Sequence, residues 1–186
     1  MRIRNTPTRY GWLSVLLHWS VVVMVIGQFV LAYLAADAED AHSLLGQIMW
    51  LARHKSMGIT ILALATLRIV WRWLSPPPPV PAATPRWQRI VGRANHVALY
   101  VLLFALPLTG WAMSSAANFS DSYFHLFTLP NFVAPNDALK KTLEGVHGLL
   151  AGLLLAFVAL HVGAALKHHF FDRDGVLLRM FGREVA

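Results

Sequence analysis

The chain has 186 residues and no cysteine; 56% are hydrophobic, only 13% are charged, and the formal net charge is +7. A soluble domain carries roughly a quarter charged residues, so this composition, with a mean hydropathy of +0.52, points to a membrane protein. Without cysteine there is no disulfide, iron–sulfur cluster, zinc–thiolate site or covalently attached c-type haem, and the length suits a single domain.

Arg2, Arg4 and Arg9 open the chain, followed by a charge-free run over 11–36. The run exceeds the roughly 20 residues that cross a bilayer as a helix. Ala36-Asp37-Ala38 resembles a signal-peptidase site, but the run is far longer than the about 7–15 residues of a signal h-region, so it reads as the first span. The second span covers 50–74. It contains Arg53, Lys55, Arg68 and Arg72 around a charge-free centre at 56–67, and basic residues near helix ends can snorkel to the surface.

A linker over 75–85 follows with six prolines, Pro76, Pro77, Pro78, Pro79, Pro81 and Pro85, which makes it stiff and extended. The third span covers 93–114 and the fourth 143–168. Between them the loop 114–142 carries Phe119, Tyr123, Phe124, Phe127 and Phe132, either as an interfacial aromatic belt or as a lid over a site.

Orientation follows from the basic residues. The N-terminus, the second connection and the tail hold Arg2, Arg4, Arg9, Arg68, Arg72, Arg86, Arg89, Arg93, Lys167, Arg173, Arg179 and Arg183. The other side holds only Arg53, Lys55, Lys140 and Lys141, with the acidic Asp37, Glu39 and Asp40. The positive-inside rule then places both termini of this multi-pass chain in the cytoplasm. Charge sorted in this way expresses topology and argues against nucleic-acid binding. The expected architecture is an all-α, four-transmembrane-helix bundle.

Five histidines lie in or at the edge of the spans: His18, His54, His96, His147 and His161. Polar groups at membrane depth are expensive, face the bundle interior and mark function. His147 and His161 are separated by 14 positions, about 21 Å along a helix and within roughly 40° of one face. By depth, His54 can meet His147 at the outer level, and His18 or His96 can meet His161 at the inner level. Facing imidazoles across a bundle make a natural axial set for haem, since neutral imidazole ligates without bringing charge into the membrane. Zinc prefers four closely spaced ligands, which neither level offers. Gly58, Gly145, Gly148, Gly152 and Gly163 lie near these positions, as helix-packing contacts or as flat backbone for a macrocycle. Arg68 stands 14 residues after His54, on the same face at the inner level, where a haem propionate or the headgroup layer would balance it.

Four stretches carry a family resemblance. They are Trp12-Leu13-Ser14-Val15-Leu16-Leu17-His18-Trp19; Arg53-His54-Lys55-Ser56-Met57-Gly58 with Leu67-Arg68 and Arg72; Asn95-His96-Val97-Ala98-Leu99-Tyr100 leading to Leu106-Pro107-Leu108-Thr109-Gly110; and His147, His161, Lys167-His168-His169 with the tail 172–180. Together they resemble the bacterial cytochrome b561 family, in particular its superoxide oxidases. The resemblance implies two haem b groups, His54 and His147 holding the outer one and His18 and His161 the inner, with ubiquinone as acceptor. It leaves His96 for a quinone or propionate role.

The resulting expectation is an oxidoreductase. Periplasmic superoxide would become dioxygen and its electron would pass to ubiquinone near the cytoplasmic side. Arg53, Lys55, Lys140 and Lys141 would steer the anion, a local field being able to raise encounter rates by roughly 10 to 10³-fold. Quinone would lie in a slot near His96, Lys167, His168, Arg68 and Arg72, and His168 would supply protons. The alternative is a relay cytochrome b subunit that takes electrons from a dehydrogenase, a hydrogenase or a periplasmic carrier protein, which the same basic patch would suit.

Overall fold

The structure, a computed structural model, describes residues 2–81 and 83–184. Four helices, α1 (Trp12–Asp40), α2 (Leu44–Leu74), α3 (Arg86–Ala116) and α4 (Asp137–Lys167), are long and apolar enough to cross a membrane. A two-residue hairpin, β1 (Ser122–Tyr123) with β2 (Phe127–Thr128), lies between α3 and α4. A π-helical turn, His168–Asp172, extends α4, and a short α5 (Val176–Arg179) closes the chain.

Most helices run past the expected spans. α1 continues from 36 to Asp40, α2 starts at Leu44 rather than 50, α3 at Arg86 rather than 93, and α4 at Asp137 rather than 143. The loop expected over 114–142 is therefore only 117–136. Charge-free runs mark hydrocarbon depth, whereas caps set helix ends. The Ser43 hydroxyl accepts the Gly46 amide at 3.3 Å, and Asn136 Oδ1 accepts the Leu139 amide at 2.9 Å. Both are N-caps that start helices outside the membrane. α2 ends at Leu74 because the proline run that follows Ser75 cannot continue it. α3 tolerates Pro107 in its interior.

The helices present apolar faces outward. Along α1, Leu16, Val23, Ile26, Val30 and Tyr33 are exposed at helical spacing on one face, as expected for a surface that meets lipid. α4 has a single buried residue, Leu154.

The chain forms two compact units, each drawing on all four helices. The first comprises Met1–Ser20, Leu64–Leu102 and Leu153–Ala186, and buries Leu17, Ala65, Leu102 and Leu154. Asn5 ties it together. Its backbone amide bonds Ser75 Oγ at 2.9 Å, its Nδ2 donates to the Ser75 carbonyl at 2.7 Å, and its Oδ1 accepts from Gly11 N and Ser14 Oγ. Gly11 is required there, because a Cβ would lie 2.2 Å from the Ile3 carbonyl oxygen. The tail folds back as well. Trp19 Nε1 donates to the Met180 carbonyl at 3.0 Å, and the Phe181 ring lies 5.1 Å from that of Trp19.

The second unit comprises Val21–Ala63 and Leu103–Gly152 and buries Val21, Ala35, Ala38, Ile61, Leu103 and Ala116. Its hairpin is fastened to α2. Lys55 Nζ lies 2.9 Å from Asp121 Oδ1. Ser56 Oγ accepts the Phe124 amide at 3.1 Å and shares its own proton between the Ala52 carbonyl at 3.0 Å and the Ser122 carbonyl at 3.2 Å. Thr60 donates its proton to the Ser56 carbonyl, so the Tyr123 hydroxyl, 3.2 Å away, donates to Thr60. Phe124 and His125 hold positive φ values of 45° and 63° at the hairpin tip, and the Ser56 bond to Phe124 anchors that strained turn.

Candidate functional site

Each unit brings together one set of histidines. In the first unit, the His18 ring from α1 lies 6.2 Å from the His161 ring of α4, with an interplanar angle of 67°. In the second, the His54 ring from α2 lies 6.3 Å from the His147 ring of α4, at 63°. A metal–imidazole bond of about 2.0 Å plus about 1.2 Å from nitrogen to ring centre puts the centroids of two imidazoles on opposite sides of one ion about 6.4 Å apart. Both distances match that requirement. His96 from α3 approaches His161 to 5.2 Å, roughly 1 Å too close for trans ligation of one ion. Of the two partners expected for His161, His18 therefore has the better spacing, and His96 is exposed beside the pair.

The nitrogens agree with this arrangement. The Nδ1 atoms of His18 and His54 are sealed and lack a hydrogen-bond partner, so Nε2 is the ring atom left to bind. For His147 the tautomer can be deduced. Thr109 Oγ1 lies 2.9 Å from the Leu106 carbonyl and 3.0 Å from His147 Nδ1. A carbonyl only accepts, so the hydroxyl proton points to Leu106 and its oxygen accepts Nδ1–H of His147. Nε2 of His147 is then unprotonated, as a metal ligand requires. In the same unit Gln28 Nε2 donates to the His54 carbonyl at 3.1 Å.

The glycines separate into two groups. A Cβ at Gly110 would stand 3.4 Å from His147 Cε1, and one at Gly58 would meet Gln28 Nε2 at 3.5 Å, so these two pack against the site. At Gly145, Gly148, Gly152 and Gly163 an added Cβ meets no heavy atom within 4 Å. Close packing among the described residues therefore does not explain the α4 glycines, which are exposed. The donor set and the spacing fit haem.

The expected basic residues are placed less simply. Lys55 pairs with Asp121, which is 7% exposed, and its Nζ lies 5.6 Å from the Phe119 ring. Lys140 pairs with Glu144 at 3.3 Å. Arg53 lies over the Trp50 ring at 4.7 Å. Lys141 is exposed and has no ion-pair partner among the described residues. Lys55 thus anchors the outer loop, and of the four expected cations Arg53 and Lys141 have no carboxylate partner among the described residues.

In the first unit, Arg68 stands 5.6 Å from the Tyr100 ring and acts electrostatically on His18, His96 and His161. His168 Nδ1 lies 2.5 Å from Asp174 Oδ2 and 3.2 Å from Asp172 Oδ2. Lys167 bonds both oxygens of Asp172, at 2.9 and 2.7 Å, so that carboxylate is already compensated. His42 and His125 are exposed in loops. Thr109, Gln28 and Tyr10 did not emerge as site residues from the sequence. Thr109 was visible only within the stretch Leu106–Gly110, and nothing in its spacing to His147 signals a bond between two helices.

The family model for prokaryotic cytochrome b561 matches residues 9–183. Among similar proteins is cytochrome b561 homolog 2 of Escherichia coli (strain K12), 36% identical, with 98% of this chain aligned to 96% of that protein. A probable superoxide oxidase, CybB, of Yersinia pestis is 34% identical over 95% of this chain and 97% of its own. Cytochrome b561 homolog 1 of the same E. coli strain is 29% identical over 94% and 98%.

Proposed function

The chain belongs to the prokaryotic cytochrome b561 family, a family of haem b-binding membrane electron-transfer proteins, and from that premise we propose that it is a superoxide:ubiquinone oxidoreductase with two haem b groups. His54 and His147 hold the outer haem and His18 and His161 the inner one. The observation that carries the reading is the pair of ring separations, 6.2 and 6.3 Å. Haem held by these pairs would supply one-electron chemistry.

Two superoxide anions give two electrons and leave as dioxygen; ubiquinone takes those electrons with two protons and leaves as ubiquinol. The name of the Yersinia relative supports superoxide as donor. Arg53 and Lys141, which have no carboxylate partner among the described residues, attract the anion. Thr109 fixes the His147 ring. His96, exposed beside His161, borders the quinone, and His168, oriented by Asp174, passes protons to it.

A second reading draws on the outer loop. Phe119, Leu126, Phe127 and Phe132 are exposed there, and the lysines expected to steer an anion are partly neutralised. That surface suits an electron-donating protein, for which the chain would be a relay subunit.

The test follows haem absorption of the oxidised protein during a controlled superoxide flux, then after ubiquinone is added. Rapid haem reduction and quinone-dependent reoxidation are expected, with Lys141→Gln slower at low salt. Haem that stays oxidised under superoxide but is reduced by a co-purifying protein would replace the first reading with the second.

A further inference from the structure

We infer that Arg68, Arg72 and Arg179, with the Tyr10 hydroxyl, form a dicarboxylate site that holds the propionates of the haem carried by His18 and His161. The inference rests on the ligand assignment above and adds residues from the N-terminal segment and the tail to it.

Arg68 and Arg72 are one turn apart on α2, so two like charges share one helix face, an arrangement that destabilises a helix unless an anion lies between them. Arg179 comes from α5. Its Nη1 donates to the Pro79 carbonyl at 2.9 Å, while its Nε is sealed and unpartnered. Among the described residues none of the three arginines is paired with a carboxylate. All three act electrostatically on one residue, Tyr10, which is their common neighbour. Burial raises the Tyr10 pKa above its ordinary value, with the arginines pulling the other way. At neutral pH the phenol is therefore uncharged: a hydrogen-bond donor, and no counter-ion.

Arg68 and Arg179 are half-buried and Arg72 is exposed at the rim of the cluster; the two half-buried guanidinium groups, without a counter-ion among the described residues, need one from outside the chain. Arg68 also acts on His18 and His161, so an anion bound by Arg68 would stand beside the inner imidazole pair. A haem b carries two carboxylates on one edge, which matches the geometry of guanidinium forks. Ubiquinone is neutral and would leave the charges standing. The tail has a structural reason to be present: Trp19, next to His18, holds Met180 and Phe181, which brings Arg179 to the site.

Full-length protein, stripped of haem in detergent, is titrated with protohaem or with haem dimethyl ester, which lacks the two charges. Wild type is expected to bind the ester about 100-fold more weakly at one of its two sites, and Arg72→Gln or Arg179→Gln to cut that discrimination about tenfold each. Arg72→Lys and Arg179→Lys, which keep the charge, are expected to recover part of it, separating charge loss from misfolding. In the holoprotein the same Gln variants should lower the midpoint potential of one haem and leave the other unchanged. Equal binding of protohaem and ester, or unchanged potentials, overturns the proposal. So does loss of bound phospholipid from the variants with both haem readouts intact, which would assign the arginines to a lipid phosphate. His161→Ala separates the two levels of failure. If it leaves the haem count unchanged, the ligand assignment falls and this inference with it; if it removes one haem and the arginine variants are silent, only this inference falls.

Discussion

Thr109 holds His147 in one tautomer by accepting Nδ1–H while its own proton goes to the Leu106 carbonyl. A partner that accepts a ligand's N–H makes the imidazole more basic, and losing such a partner typically costs about 10–100-fold in metal affinity. Thr109→Val should therefore weaken haem retention at the outer site about tenfold and raise its midpoint potential, with the inner haem unaffected; a potentiometric titration resolved by haem decides it. The second residue-scale prediction uses spacing. His18→Ala should remove one haem, and His96→Ala should leave both in place while slowing quinone-dependent reoxidation, because 6.2 Å fits trans ligation and 5.2 Å does not. A His96→Ala protein with one haem would reverse the assignment. Sequence spacing alone reached the pairing of His54 with His147 but left His18 and His96 as rivals. Both start from the inner level, and only the ångström between their rings distinguishes them. Arg179 was invisible as a site residue for a related reason, since nothing in a tail of mixed polarity says that it folds back onto α1.

Helix existence was legible because charge-free runs of membrane length leave few alternatives; helix ends were not, because they depend on Ser43, Asn136 and the proline run rather than on hydropathy. The outer loop was the least legible element. Its aromatic residues suit a membrane belt, yet Tyr123 is turned to Thr60, and Ser56 binds the hairpin backbone. Lys55, read from the sequence as a steering charge, is the partner of Asp121. Removing it strands a carboxylate that is 7% exposed, at a cost of about 1–3 kcal/mol. For a chain of this size that is a fall of roughly 5 °C in Tm. Lys55→Met should show this fall, and Lys55→Met combined with Asp121→Leu should recover most of it, since a buried pair can be replaced by apolar groups without net loss. A single variant with unchanged Tm would mean that the ion pair does not fasten the loop.

At the scale of the whole molecule, the net charge of +7 is a statement about orientation. The proposed reaction depends on that orientation, because superoxide must arrive where Arg53 and Lys141 lie, and quinone reduction must draw its protons beside His168. Each Lys or Arg near an anionic membrane surface contributes about 1 kcal/mol, so the uneven distribution of basic residues far outweighs thermal energy. The absence of cysteine allows a direct measurement, since single cysteines can be introduced without background. Asp40→Cys and Asn131→Cys, both at exposed positions outside the four helices' apolar stretches, should react with a membrane-impermeant maleimide added to intact spheroplasts. Arg89→Cys, at the exposed start of α3, should react only after the membrane is opened. The reverse pattern would place the His54–His147 pair on the cytoplasmic side, where periplasmic superoxide cannot reach it, and the donor would then have to be sought inside the cell.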